Sequence, residues 1–235
     1  MSRKLSLKIN ARKTIVGVVT GKIEIALIKK AKKDGARIIE LRLDTLKDRG
    51  EEDLKEKLEK IRKVGLPLIL TIRSTKEGGE KIITDKERLS LFSALIPFVD
   101  FIDIELSSKK ILKLVTSLAR KEKKQIIISH HDFNKTPGLK KLEGIIKNAI
   151  DSGASIVKIA TFARSSEDIK RLSTLLSNYK NKKALALIAM GRAGQVSRVF
   201  FPFLGSALTF GSITKSTAPG QLTLKELATE IKKYD

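Results

Sequence analysis

The sequence predicts one (β/α)8 barrel extending over residues 1–235. Three observations carry that expectation. Short β-branched runs alternate eight times with longer amphipathic segments, the pattern of parallel βα units. The connections are short, and no Pro/Gly/Ser-rich linker or low-complexity tract divides the chain. The length is also that of a single α/β barrel. An open doubly wound sheet is the alternative architecture, but no Gly-x-Gly-x-x-Gly fingerprint follows the first strand.

In chain order, strands are expected over Thr14–Thr20, Ala36–Leu43, Pro67–Ile72, Val99–Glu105, Gln125–Ser129, Ser155–Ala160, Ala184–Ala189 and Ala207–Phe210. Each is a brief apolar run, too short for a helix and rich in residues that suit a pleated surface. Helical patterns fill the intervals at about 22–33, 51–63, 85–96, 109–122, 139–151 and 166–180, with a weaker one near 194–204 and a last at 223–233. The second of these, beginning Glu51-Glu52-Asp53-Leu54-Lys55-Glu56-Lys57, interleaves acids and bases at i,i+4 spacing and reads as a solvated face. Two loops, 74–84 and 211–221, follow strands three and eight and carry Gly78-Gly79 and Pro219-Gly220. In a barrel both lie on the face where active sites are built, and glycine there permits a movable lid or an ordinary surface turn.

Composition argues against several function classes. The net charge is +22, but its bases are interleaved with acids, and nine Phe, two Tyr and no Trp leave few stacking platforms for nucleic acid. The Lys, Glu and Ile content, with two Met and no Cys, fits a protein selected for heat. No apolar stretch approaches the ~20 residues that span a bilayer. Met1 to Arg12 alternates basic and apolar residues and does not resemble a secretory signal. The absence of cysteine rules out disulfides and thiolate metal sites, and two adjacent histidines make a poor metal centre. The expectation is a cytoplasmic protein with no metal, no nucleic acid and no membrane partner.

The most informative residue is Lys158, inside the apolar run Ser155-Ile156-Val157-Lys158-Ile159-Ala160. A lysine in a central strand must be paired, reach solvent, or lose its proton, and a neutral amine is a nucleophile. Other polar residues gather at strand ends, where barrel chemistry collects. Strand two ends Glu40-Leu41-Arg42-Leu43-Asp44, strand three in Arg73, strand four in Asp103 and Glu105, and strand five in His130-His131-Asp132. Cations such as Arg42 and Arg73 around Lys158 would depress its pKa, and an imine with a ketone would acidify the adjacent carbon. A histidine near neutrality would move that proton, Glu77 would orient the imidazole, and Arg73 and Arg198 suit a substrate carboxylate. The residues alone point to a lysine-imine lyase or aldolase acting on an anionic small molecule.

As an ordered set, these pieces resemble the type I 3-dehydroquinate dehydratases over essentially the whole chain. The matching segments are Glu40-Leu41-Arg42-Leu43-Asp44, Thr71-Ile72-Arg73-Ser74 with Glu77-Gly78-Gly79, and Ile102-Asp103-Ile104-Glu105-Leu106. They continue with His131-Asp132-Phe133, Val157-Lys158-Ile159-Ala160, Met190-Gly191-Arg192 through Ser197-Arg198, and Ala218-Pro219-Gly220-Gln221. The resemblance implies a hydro-lyase of the shikimate pathway, working as a homodimer without cofactor and converting 3-dehydroquinate to 3-dehydroshikimate. Lys158 would form the imine, with His131 as general acid/base and Glu77 as its partner. Arg198 and Arg73 would hold the carboxylate, while Glu40, Arg42 and Gln221 would contact ring hydroxyls. Thr217 stands where the family often has serine, and keeps a hydroxyl. Val18 replaces a serine found in the first strand of some members. His130 and His131 face opposite ways along a strand, so only one of them shares the site. Two alternatives compete. A class I aldolase on a phosphorylated sugar would need a phosphate cradle, for which Gly191–Gly194 is the only candidate, and would leave His131 without a role. A basic barrel that binds RNA is the other.

Overall fold

Eight strands run parallel round a central axis: β1 (Ile15–Val19), β2 (Ile38–Arg42), β3 (Leu68–Thr71), β4 (Phe101–Glu105), β5 (Gln125–Asp132), β6 (Ile156–Phe162), β7 (Ala184–Met190) and β8 (Thr209–Ser212). The structure, a computed structural model, describes residues 13–47, 50–179 and 181–235. Met1 to Arg12 and the expected helix end at residue 180 lie outside the described residues. Helices α1 (Ile25–Lys33), α2 (Glu51–Arg62), α3 (Asp85–Leu95), α4 (Lys109–Lys121), α5 (Leu139–Asp151), α6 (Ser166–Tyr179), α7 (Gln195–Phe200) and α8 (Leu224–Lys232) alternate with them. The strands pair in sequence order from β1 to β7, and β8 returns to pair with β1. The last seam is narrow. Ala207 donates its backbone N–H to Leu185 O at 2.6 Å, and the Ser206 hydroxyl bridges Leu187 N and Leu208 O. The fold is therefore the nearly closed (β/α)8 barrel that the alternation of elements predicts.

The period-2 geometry of the strands sorts side chains into two layers. Val16, Ile38, Ile69, Phe101, Ile127 and Ile156 point inward and fill the N-terminal half of the barrel. Their neighbours Ile39, Leu41, Leu68, Leu70, Ile102, Ile104, Ile128 and Ile159 point outward and pack under the helices. The helices are shaped to cover that layer. In α2, Leu54, Leu58 and Ile61 are buried, acids occupy the first turn and Lys60 and Arg62 the last, as the helix dipole favours. Its outer face carries the Lys55–Glu51 and Lys60–Glu56 ion pairs at 2.7 and 2.6 Å. Capping boxes, Thr84 with Glu87 and Thr223 with Glu226, start α3 and α8.

Several element bounds differ from expectation by two or more residues, and in three of them the local reason is plain. Strand β5 continues past Ser129, because His130, His131 and Asp132 stay in register with Ile159, Ala160 and Thr161. Strand β8 begins two residues late: Ala207 makes the seam to β7, and the ladder to β1 opens with Ile15 opposite Thr209. Helix α7 stops at Phe200 because Pro202 has no N–H to continue the ladder, and Phe203 and Leu204 close the turn through i→i−3 bonds.

Candidate active site

Two residues further along the inward-facing stripe, the barrel interior turns polar. Glu40, Thr71, Asp103, Ser129 and Lys158 are all buried there. Lys158 Nζ donates to Asp103 Oδ2 at 2.9 Å, lies 3.5 Å from Glu40 Oε1, and sits 4.2 Å from the centre of the Phe210 ring. Thr71 donates to Glu40 Oε1 at 2.7 Å, and Ser129 to Asp103 Oδ1 at 2.6 Å. The expected ring of cations around the amine is thus replaced by carboxylates. Arg42 and Arg73 carry acids of their own: Arg42 forks onto Asp44 at 2.8 and 2.8 Å, and Arg73 bonds Asp103 and Glu105, each at 2.8 Å.

Arg73 has both terminal nitrogens engaged, with Ser129 as a third partner at 2.7 Å. Burial alone would lower its basicity, but Asp103 and Glu105 outweigh that and raise it. Burial would likewise raise the Asp103 carboxyl; Arg73 and then Lys158 hold it below the usual range instead. Asp44 and Glu105 are held low in the same manner, chiefly by Arg42 and by Arg73 with Arg88.

At the next level up, the rim pairs His131 with Glu77. Glu77 Oε2 accepts the His131 backbone N–H at 2.8 Å and lies 2.9 Å from Nδ1, while Ser107 donates to Oε1. Burial pushes the Glu77 carboxyl up to about 7. Burial, helped by Arg73 and Lys158, holds the His131 imidazole well below its ordinary value, so it is neutral near pH 7. Gly78 follows in the left-handed conformation, φ +85°, with Phe133 so close that a Cβ would lie 2.5 Å from its ring. Arg42 donates to Gly78 O at 3.3 Å and Glu80 N to Asp44 Oδ2 at 3.2 Å, which ties the 74–84 loop to β2. The glycines here serve close packing, as does Gly220, whose Cβ would meet Gly191 O at 2.4 Å.

Arg198, from α7, is the exception among these cations. It is 2 % exposed, its nearest acceptors are the Phe210 and Pro219 carbonyls at 3.4 and 3.5 Å, and its Nε has no hydrogen-bond partner among the described residues. Desolvation lowers it to about 10, which leaves it charged at neutral pH. Among the described residues no carboxylate pairs with this buried guanidinium, which suits it chemically to an external anion. Beyond it, the Gln221 side-chain oxygen accepts from Thr217 N and Oγ1 at 2.7 and 3.1 Å, folding the 211–221 loop over the rim.

These groups converge on one solvent-open cavity at the C-terminal ends of the strands. Lys158, His131, Glu77, Glu40, Arg42, Arg73, Arg198, Thr217 and Gln221, all singled out from the sequence, line it, as does Val18 on β1. His130 does not; it is on the opposite face of β5. Ser129, Arg88 and Phe210 carried no expectation. Asp103 and Glu105 were visible as strand-end acids without an assigned partner, although the alternation Phe101-x-Asp103-x-Glu105 matches that of β2. The cavity offers an amine, a neutral imidazole with one nitrogen free, and an unpaired guanidinium.

The whole described barrel is similar to proteins of one family. A model of type I 3-dehydroquinase matches residues 16–232. The 3-dehydroquinate dehydratase of Aquifex aeolicus is 40% identical over 207 residues, 88% of this chain and 92% of that protein. The one from Methanocaldococcus jannaschii is 40% identical over 220 residues, covering 89% and 94%. The crystal structure of the Aquifex aeolicus dehydratase superposes with a TM-score of 0.84 at 37% identity, over 94% of this chain and 98% of that one. That of the type I enzyme from Clostridium difficile, with covalently modified comenic acid, gives 0.87 at 31% identity, over 95% and 92%.

Proposed function

The chain belongs to the type I 3-dehydroquinase family and is a hydro-lyase, and from that premise we propose that it dehydrates 3-dehydroquinate to 3-dehydroshikimate through an imine on Lys158. The observation that carries this reading is the unpaired Arg198 guanidinium facing the same cavity as Lys158. It supplies the one charge a carboxylate substrate needs, at the wall opposite the carboxylates that hold the amine.

The steps follow from the groups present. Lys158 gives one ammonium proton to His131 and adds to the substrate ketone; His131 returns that proton to the carbinolamine hydroxyl, which leaves as water, and a protonated imine remains. That imine draws electrons from the neighbouring carbon, whose proton passes to His131. Glu77 engages Nδ1, which leaves Nε2 as the base. The resulting enamine expels the hydroxyl at the next carbon, and His131 returns the proton to it so that water departs. Hydrolysis of the imine releases the product and restores Lys158. Arg198 holds the carboxylate throughout. Glu40, Arg42, Thr217 and Gln221 offer donors and acceptors to the ring hydroxyls, and Arg73 fixes Asp103 beneath the amine. The reading places the enzyme in the shikimate pathway, in the cytoplasm and as a homodimer, on the strength of its family.

Borohydride added during turnover tests the reading. It reduces the imine to a stable amine, so a ligand-derived mass is expected on the peptide containing Lys158, with loss of activity. Lys158→Ala should lose both the label and nearly all turnover while remaining folded. Label on another lysine sinks the assignment.

A further inference from the structure

We propose that Arg88, outside the cavity, is a positioning residue for Lys158, acting through an alternating array of buried charges. The inference rests on the imine reading and deepens it. Arg88 is in the first turn of α3, a helix whose other buried side chains, Phe92 and Leu95, are apolar. It is 2 % exposed, yet its guanidinium is fully directed. Nε donates to Ile72 O at 3.0 Å, Nη1 to Ser108 Oγ at 2.9 Å, and Nη2 to Glu105 Oε2 at 2.5 Å, with Asp85 3.6 Å from Nη1.

From Glu105 the chain of contacts continues without a gap. Its other oxygen accepts from Arg73 Nη1 at 2.8 Å; Arg73 Nη2 donates to Asp103 Oδ1 at 2.8 Å; Asp103 Oδ2 accepts from Lys158 at 2.9 Å. The signs alternate from Arg88 through Glu105, Arg73 and Asp103 to Lys158. A buried array of this kind is a weak source of stability, because each ion gives up its hydration, whereas removal of one member leaves the next uncompensated. Its consequence is positional. Glu105 Oε2 accepts from Arg88 and from the Ser108 hydroxyl at 2.7 Å, and Oε1 accepts from Arg73 and from Ser74 N at 3.0 Å. With Arg88 as its second cation, Glu105 leaves Arg73 divided between itself and Asp103. Without Arg88, Glu105 draws the Arg73 fork onto itself, and Asp103 is left to Ser129 and Lys158. The Asp103 charge then bears more fully on the Lys158 nitrogen 2.9 Å away, and release of the proton that imine formation requires is slower. The charged and titratable groups facing Lys158 are Glu40 from β2, Arg73 from β3, Asp103 from β4 and His131 from β5, and Arg42, Glu77 and Arg198 line the same cavity. Of these, only Asp103 is reached from Arg88 through Arg73.

The test is the pH dependence of imine formation, read by rapid quench with borohydride and mass measurement of the Lys158 peptide. Arg88→Met should move the rising limb to higher pH by about one unit, the lower end of what a neighbouring charge does, so that trapping on that limb slows about tenfold. Arg88→Lys, which keeps the charge but not the fork, should shift less. Arg88→Met with Glu105→Gln removes both ends of the outer pair, frees Arg73 for Asp103, and should bring the limb back to or below its wild-type position. KM should change little, since Arg198 is untouched. Limbs that superimpose in all variants overturn the proposal, whatever happens to stability. If Arg88→Met does not fold, Arg88→Lys and the double variant decide it alone. Failure of the wild type to trap at Lys158 overturns the imine reading instead, so the two failures are distinct.

Discussion

One oxygen of Glu77 serves His131 twice: Oε2 accepts its backbone N–H at 2.8 Å and lies 2.9 Å from its Nδ1. An ionised carboxylate only accepts, so Nδ1 must carry the ring hydrogen and Nε2 the lone pair. The backbone bond fixes where Glu77 sits, and the side-chain bond fixes the tautomer. In the proposed reaction, proton transfer at His131 is therefore governed by the charge of Glu77, which does not itself touch the reacting carbon.

That arrangement gives a signed pH dependence. Burial raises Glu77 to about 7, so the carboxylate is present above that pH and lost below it. kcat/KM is expected to fall as pH drops through about 7. Glu77→Gln keeps an acceptor for both N–H groups and removes the titration. Its profile should lose that limb, with kcat lower by about tenfold for want of a charge opposite the imidazolium. The same shift has a stability sign: the folded state binds the Glu77 proton more tightly than the unfolded state, so this residue subtracts stability as pH rises from 4.5 to about 7. The Gln variant should lack that decline in thermal melts. A limb near pH 7 that survives the substitution would belong to another group.

The adjacent histidines separate cleanly in this geometry. His131 lines the cavity, whereas His130 points to the other side of β5, where its Nε2 has no hydrogen-bond partner among the described residues. His131→Ala should reduce kcat by about 10²–10⁴-fold, the usual range for a general acid/base, while Lys158 still traps some ligand. His130→Asn should retain near-normal turnover. Comparable losses in the two variants would reject the assignment of His131.

The strand alternation made much of this legible. Period two in Glu40-Leu41-Arg42 and in His130-His131-Asp132 states which side chains face the interior, and the interior of a barrel at the C-terminal ends of its strands is its cavity. What the pattern does not contain is partnership across strands. Lys158 finds Asp103, and Arg73 finds both Asp103 and Glu105, through pairings set by barrel closure. A reading that saw arginines near a lysine therefore put cations beside it and missed that each already held an acid. Arg88 carried no expectation, because nothing in Asp85-Lys86-Glu87-Arg88 marks one charged residue of a helix start as buried; its contacts with Ile72, Glu105 and Ser108 do. The shift of β8 has a similar origin: Ala207 and Leu208 look as strand-like as the residues that follow, and the neighbouring strands decide where the ladder starts.

Arg198 sets stability against function in a measurable way. Its guanidinium is buried, its nearest acceptors are two long carbonyl contacts, and desolvation lowers it to about 10. Those two contacts offset little of the lost hydration, and in the proposed reaction the compensating partner is the substrate carboxylate. Arg198→Met should weaken kcat/KM by about 10–100-fold, the worth of a charge-assisted hydrogen bond, mostly through KM. It should also raise the melting temperature of the free enzyme, by about 2–4 °C for each kcal/mol recovered. Borohydride trapping of a small ketone without a carboxylate should be unaffected, since Lys158 and His131 are intact. A variant that melts lower and traps the neutral ketone poorly would show instead that Arg198 holds the rim together, and the anion site would have to be sought elsewhere in the cavity.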